Sequence, residues 1–195
     1  MKQKLLLALL LIFSIKSFSQ NSKFSLELNY PIPIGENFIE KNYNGIIDLG
    51  LKYRFTDLSF LNIGASLNAG ILKNSKEDRV QPFDVTTFVI QPRIFAELDS
   101  ESLTKFHPSI GLGYTFMSFN TSGIDILNPD NPNSSSSSQT ESGINLILGV
   151  AYDITKKLFT QVQYDFIKIG VDNEVPDTKY NRNINILKIG LGYRL

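Results

Sequence analysis

The 195-residue sequence contains no cysteine. This absence excludes disulfide bonds, thiolate metal sites, a cysteine nucleophile and a lipid-modified N-terminal cysteine. Long hydrophobic runs are also missing after residue 20, so the later sequence predicts no transmembrane helix, which needs about 17 or more consecutive apolar residues. The mean hydropathy is −0.05. A chain of this kind can cross a membrane only as a closed β-barrel.

The N-terminal segment has the features of a secretory signal peptide. Lys2 and Lys4 precede the apolar run 5–13, and Ser17-Phe18-Ser19 occupies the place of a small-x-small cleavage site. The apolar run is too short to span a bilayer as a helix. We therefore expect a cleavable signal peptide at the start of the chain.

The expected boundaries are a signal peptide over residues 1–19 and one β-barrel domain over residues 20–195. Removal of the signal peptide takes away three lysines, so the mature chain carries 16 basic and 19 acidic residues. A slightly acidic chain offers no basic surface for nucleic acid, and no nucleic-acid partner is expected.

Eight segments alternate between two faces with a period of two, which is the period of β-strands. Across all eight, Thr160 is the only residue on the first face that is neither apolar nor aromatic, and none is charged. A Lys or Arg facing lipid at the bilayer midplane costs about 2–4 kcal/mol, so this face is suited to lipid. The segments are 24–30, 46–55, 60–71, 88–98, 106–117, 143–153, 158–167 and 186–195.

The second face carries charges of both signs in equal number, together with most of the 13 glycines. An eight-stranded barrel has room inside only for side chains, and opposite charges that pair there recover part of their desolvation cost. We predict a lumen charge network that fills the barrel rather than a pore. Its members are Glu27, Asp48, Lys52, Arg54, Arg93, Glu97, Asp153, Asp165, Lys188 and Arg194.

The connections alternate in length, being long after the first, third, fifth and seventh segments and short after the others. Transmembrane barrels have short periplasmic turns and longer extracellular loops, and an even strand number places both termini in the periplasm. The longest predicted loop, 119–142, contains a serine run over residues 134–138. A loop of this composition cannot bury enough apolar area to offset its ordering entropy, so we expect it to be mobile.

Aromatic residues on the first face fall near the two ends of the segments, where membrane proteins place their interfacial belts. Together these patterns predict an all-β fold, an eight-stranded antiparallel up-and-down transmembrane barrel. The alternative is a soluble lipocalin-like barrel, which would carry its apolar face inside and its charges outside. The charges and glycines gathered on the second face favour the membrane barrel over this alternative.

The sequence resembles the small outer-membrane barrels of Gram-negative bacteria, of the OmpA-transmembrane, OmpX and OmpW type. The segments GIIDLGLKYRF and KIGLGYRL are especially similar to those of the outer-membrane β-barrel domain proteins of Bacteroidetes. This resemblance implies an outer-membrane location and recognition of the last strand by the barrel-assembly machinery. The family usually ends in Phe, where this chain has Leu195, so the implied assembly signal is Leu191, Tyr193 and Leu195.

The residues give little indication of chemistry. His107 and Ser109 share the second face, which suggests a lipid A-modifying hydrolase, but a His and a Ser without a third partner are weak evidence for catalysis. Asp125 and Asp130 are better explained by a solvated polar loop than by calcium binding. No catalytic residue, cofactor or metal site is expected.

Three functions remain open at this point. The first is a structural or interaction protein whose loops meet an extracellular ligand, in adhesion, envelope integrity or surface defence. The second is a lipid-modifying enzyme, and the third is a narrow channel for small solutes. Outer-membrane lipid is the expected partner in all three. The family resemblance transfers architecture more securely than activity.

Overall fold

The computed structural model describes residues 23–58, 60–75, 84–99, 103–122, 137–171 and 175–195. Eight antiparallel strands form a closed barrel in which each strand pairs with its sequence neighbours and the first pairs with the last. The predicted eight-stranded barrel is confirmed, and the predicted signal peptide lies outside the described residues. The strands are β1 (Phe24–Ile34), β2 (Asn44–Leu58), β3 (Leu61–Lys73), β4 (Asp84–Leu98), β5 (Phe106–Ser122), β6 (Ser137–Asp153), β7 (Leu158–Ile169) and β8 (Asn183–Arg194).

Two short helices accompany the strands. Helix α1 (Phe38–Asn42) begins after Asn37, whose side chain accepts a hydrogen bond from the backbone N–H of Glu40 at 2.9 Å. Helix α2 (Lys179–Arg182) begins after Thr178, which caps it in the same way. Within the described ranges, neither helix has the length and hydrophobicity needed to span a bilayer.

The burial of the strands is inverted relative to a soluble protein. On the outside, Leu28, Leu112 and Leu191 are 52%, 62% and 51% exposed. Inside, Asp165 and Thr115 are fully buried. Apolar side chains cover the outer surface and buried polar side chains lie in the lumen, which is the arrangement that lipid requires of a membrane barrel.

The two ends of the barrel differ. The turn end carries the start of β1, the end of β8 and the short connections between β2 and β3, β4 and β5, and β6 and β7. The loop end carries α1, α2 and the longer connections between β1 and β2, β3 and β4, β5 and β6, and β7 and β8. The predicted alternation of short and long connections is confirmed.

The first strand is longer than predicted, because Pro31 and Pro33 lie inside β1 rather than ending it. β1 pairs with β2 only as far as Asn29, whereas it pairs with β8 as far as Ile34. The prolines therefore lie where β1 has a ladder on one side only. Proline has no backbone N–H to donate. It is tolerated here because no neighbouring strand needs that hydrogen bond, as on an edge strand.

Two residues predicted to face inward do not. Ile46 is 51% exposed, because a bulge between Gly45 and Ile47 shifts the register of β2 against β3. Phe60 precedes β3 and is 60% exposed. Pro92 lies in β4, where the β4–β5 pairing skips two positions without a change of register.

The prediction of a mobile loop over residues 119–142 is wrong at both ends. β5 continues to Ser122 and β6 begins at Ser137, and the two strands stay paired from Phe106 to Thr121. Residues 123–136, with most of the serine run, lie outside the described part of the chain, as do Asp125 and Asp130. Both strands have 17 residues, against 11 in β1 and 12 in β8, so the barrel wall is tallest at this hairpin.

Candidate functional site

The middle of the lumen holds a network of buried ions from four strands. Asp165 on β7 pairs with Arg93 on β4 and, at 3.1 Å, with Lys188 on β8. Lys188 also pairs with Asp48 on β2 at 2.7 Å. All four side chains are at most 2% exposed. We call these four residues the ionic layer; it joins strands on opposite sides of the barrel.

Amide side chains complete the hydrogen bonding of the ionic layer. Asn29 and Asn68 both donate to Asp48, at 2.9 and 2.8 Å, and Gln163 donates to Asp165 at 2.7 Å. Gln91 accepts from Lys188 at 2.8 Å. Buried ions are tolerated when such bonds satisfy their remaining donors and acceptors. The sequence places these amides on the inward face but does not indicate which ion each one binds.

The other six predicted charges pair closer to the turn end. Lys52 lies 2.7 Å from Glu27, and Arg194 lies 2.6 Å from Asp153. Arg54 makes a forked contact with Glu97, with its Nε and Nη2 at 2.9 and 3.1 Å from the two carboxylate oxygens. The structure thus brings all ten predicted lumen charges into ion pairs, with Glu97, Glu27 and Asp153 each beside a cation.

Two inward phenylalanines pack on glycines of the neighbouring strand. The ring of Phe95 lies over Gly64, and the ring of Phe159 lies over Gly192, so neither glycine has room for a Cβ atom. A cation covers each ring: Lys52 Nζ is 5.6 Å from the Phe95 centroid, and the Arg194 guanidinium is 4.8 Å from that of Phe159. The inward glycines therefore create the space in which the aromatic rings and the charges stack.

The loop end of the lumen is filled by apolar side chains instead. We call this group the apolar layer. Ile39 on α1 is fully buried in it, and Phe38 and Phe119 pack against its edge. Burial also raises the pKa of the Tyr43 phenol, which stays uncharged. Its buried members are Ile39, Tyr43, Leu72, Val85, Val89, Met117, Ile167, Ile169, Ile184 and Ile186.

The turn end contains a polar cavity of about 310 Å³. His107 lies in its wall, with Nε2 3.0 Å from Asp153 and Nδ1 3.7 Å from Asp99. Both ring nitrogens are therefore directed at carboxylates rather than at Ser109, the partner considered from sequence. Among the described residues, no group of three or more His, Asp or Glu side chains has a geometry that could hold a metal ion.

The C-terminal residues predicted as the assembly signal lie on the outer surface of β8 and just beyond it. Leu191 and Tyr193 are 51% and 44% exposed and pair with Leu28 and Leu26 of β1. The backbone N–H of Leu195 donates to the carbonyl of Phe24 at 3.1 Å. Their recognition by an assembly machinery stays a prediction.

The sequence pattern of the outer membrane protein beta-barrel domain family matches residues 5–194. The chain belongs to this family. Solved structures with the same fold include Neisserial surface protein A, with 16% identity, a TM-score of 0.60 and coverage of 89% of this chain and 97% of that one. No curated protein matches by sequence.

Two further structures share the fold of this outer membrane β-barrel family member. The N-terminal β-barrel domain of Pseudomonas aeruginosa OprF has 14% identity and a TM-score of 0.53, with 87% and 95% of the two chains covered. Ail, the attachment invasion locus protein of Yersinia pestis, solved with the heparin analogue sucrose octasulfate, has 11% identity and a TM-score of 0.55, with 88% and 96% covered. The protein is thus a bacterial outer-membrane barrel whose apolar outer face contacts lipid.

Proposed function

We propose that this barrel is a closed, non-conducting surface protein with a structural or interaction role, which displays its loop end outside the cell. The observation that carries the proposal is the filled lumen. The ionic layer joins β2, β4, β7 and β8 across the barrel, and the apolar layer lies between it and the loop end. A side-chain core of this kind suits an anchor better than a conduit.

The orientation in this proposal follows from the connections. Outer-membrane barrels have short periplasmic turns and longer extracellular loops, so we place the turn end, with the start of β1 and the end of β8, in the periplasm. Adhesion, envelope integrity and surface defence all fit a displayed loop end. Ail, an attachment protein of similar fold, forms a complex with a heparin analogue, which supports an extracellular ligand for a barrel of this shape. We further propose that Leu191, Tyr193 and Leu195 are the residues that the assembly machinery recognises.

The closed lumen predicts that purified protein gives no steady conductance in planar bilayers. Ions would have to cross the apolar layer around Ile39 and then displace the buried pairs of Asp165. Protease protection measured on vesicles from the same preparation shows that the protein inserts into bilayers. A lack of conductance is then not explained by a lack of inserted protein. Reproducible single-channel steps from inserted protein would contradict the proposal and favour the channel.

We also propose that the protein is not an enzyme. His107 contacts Asp153 and faces Asp99, and Arg194 binds the same Asp153 at 2.6 Å. These contacts support a structural role for this histidine at the turn end. Cells producing His107→Ala or Ser109→Ala are expected to have the same lipid A as cells producing the unmodified chain. Mass spectrometry of extracted lipid A checks this; a lipid species that disappears in either variant would favour a hydrolase.

A further inference from the structure

The cavity at the turn end has the size and the lining of a site for a small polar ligand. Its volume of about 310 Å³ lies at the lower end of the range of ligand pockets, about 300–1,000 Å³. Every residue that lines it is polar or charged. Ligand pockets are mostly apolar, so this one recognises its ligand through charges and hydrogen bonds instead.

Most of the charged side chains in the cavity wall are bound to one another. Arg54 holds Glu97 by its forked contact. Arg194 and His107 contact the two carboxylate oxygens of Asp153, at 2.6 and 3.0 Å. The side chains of these five residues are at most 20% exposed. Their charges are satisfied within the protein.

Lys23 and Asp99 are the two charged lining residues that are not paired in this way. The Asp99 side chain is 55% exposed, and its carboxylate has only long contacts, 3.3 Å to the Asn62 amide and 3.7 Å to His107 Nδ1. Lys23 is exposed, and within the described ranges its ammonium forms no ion pair. Backbone hydrogen bonds of 2.8 and 3.0 Å hold both residues to neighbouring segments. The cavity thus presents one cation and one anion that a ligand can reach.

The strand registers place these two charges at the same level, on nearly opposite sides of the barrel. One ladder row that begins at Phe24 on β1 passes Ile94 on β4 and returns to β1 at Ile34, ten residues nearer the loop end. The three strand steps from β1 to β4 therefore account for about four residues of stagger. The position level with Phe24 lies about four residues beyond Ile94. Lys23 and Asp99 each lie one residue farther toward the turn end.

We propose that the turn-end cavity binds a short peptide with free ends, its carboxylate on Lys23 and its ammonium on Asp99. A ligand with one charge of each sign pairs both groups by charge-assisted hydrogen bonds. Three strand spacings of about 4.8 Å separate β1 from β4, or about 14 Å along the curved wall. An extended dipeptide spans about 7 Å, and the two side chains reach inward across the remainder. Asn62 and Thr104 line the same cavity and supply hydrogen-bonding groups for the peptide bond.

This site is separate from the loop end that the proposed function displays. The ionic layer and the apolar layer close the lumen on the far side of the cavity, so the peptide is bound and not conducted. In the proposed orientation the cavity opens to the periplasm, so its ligand is a different molecule from any that the loops contact. Binding in detergent does not depend on orientation, so a failure of the one proposal is distinguishable from a failure of the other.

Isothermal titration calorimetry of the purified full chain in detergent tests the proposal with four forms of one dipeptide. Dialanine has both charges, N-acetyl-dialanine lacks the ammonium, dialanine amide lacks the carboxylate, and the doubly blocked form lacks both. We expect dialanine to bind most tightly. Blocking one end should weaken binding about fivefold, the upper value for an exposed ion pair, and blocking both ends about 25-fold.

Two variants connect each end of the peptide to its partner. Lys23→Gln should weaken binding of dialanine about fivefold and leave binding of dialanine amide unchanged, because the amide has no carboxylate for this lysine to hold. Asp99→Asn should weaken binding of dialanine and leave binding of N-acetyl-dialanine unchanged. Heat-modifiable migration on gels shows that each variant is folded.

The matched controls remove exposed charges that do not line the cavity. Lys157→Gln removes an ammonium that lies over the Tyr193 ring, and Asp177→Asn removes the partner of Arg182. Both should bind dialanine as the unmodified chain does. Equal affinity for dialanine and its doubly blocked form, or no binding of dialanine at millimolar concentration, would overturn the proposal. So would a loss in Lys23→Gln that is the same for dialanine and for its amide.

Discussion

Replacement of Asp165 by asparagine is expected to lower the free energy of unfolding by about 3–5 kcal/mol, the range found when one partner of a buried ion pair is removed. The reason lies in the charge balance of the ionic layer. Asp165 and Asp48 neutralise Arg93 and Lys188. With Asp165 uncharged, Lys188 keeps Asp48, but Arg93 is left buried beside amides alone.

Urea unfolding in lipid vesicles, followed by heat-modifiable migration on gels, measures this loss. The matched control is Asp177→Asn, which breaks the exposed pair with Arg182, where the acid side chain is 65% exposed. Exposed pairs contribute about 0–1 kcal/mol, so the control should differ little from the unmodified chain. The double variant Asp165→Asn/Arg93→Met removes one charge of each sign and should recover part of the loss. Equal unfolding of Asp165→Asn and Asp177→Asn would show that the ionic layer does not stabilise the barrel.

Leu191→Arg is expected to impair insertion, because a cation facing lipid is destabilising, by about 2–4 kcal/mol at the bilayer midplane and less toward the interfaces. Leu191 is 51% exposed on the outer face of β8, between Leu28 and Thr160 on the neighbouring strands. Its side chain has no route into the filled lumen. The fraction of heat-modifiable protein in outer membranes measures insertion.

The control for this variant is Leu191→Ala, which keeps the outer face apolar and should insert at nearly the normal level. Gly190→Ala, an inward substitution, is not used as a second control, because a Cβ at Gly190 would collide with the Leu28 carbonyl and the Asn29 side chain. Normal insertion of Leu191→Arg would mean that this position does not face lipid.

Strand alternation made most of the barrel predictable from sequence. A charged residue in lipid is costly, so the outward face had to be free of charge along every strand, and its period of two stands out. Local exceptions could not be found this way. The bulge that turns Ile46 outward depends on how β2 meets β3, and the fit of Pro31 and Pro33 depends on where β2 stops pairing with β1.

The composition of the lumen was predictable from the sequence, but the pairing of its charged side chains was not. The alternation of side chains along each strand places the ten charges inside the barrel. Which of them form ion pairs depends on the stagger of the strands around the barrel, and the sequence periodicity does not reveal that stagger. The apolar layer does leave a signal in the sequence. Val89, Met117, Ile167 and Ile186 are inward positions near the loop end of their strands, and apolar residues there indicate a plug at that end.

The seam between β1 and β8 has a consequence for the order of assembly. It joins Leu28 to Leu191, whereas every other strand pair is a hairpin between consecutive strands. Contacts of such large sequence separation carry the highest loop-closure cost and form late. Lys188 meets Asp48 across this seam. Until the seam closes, an open sheet would keep Lys188 apart from Asp48 and would expose two bare strand edges to hydrocarbon, so insertion into the bilayer favours chains whose last strand has already paired with the first.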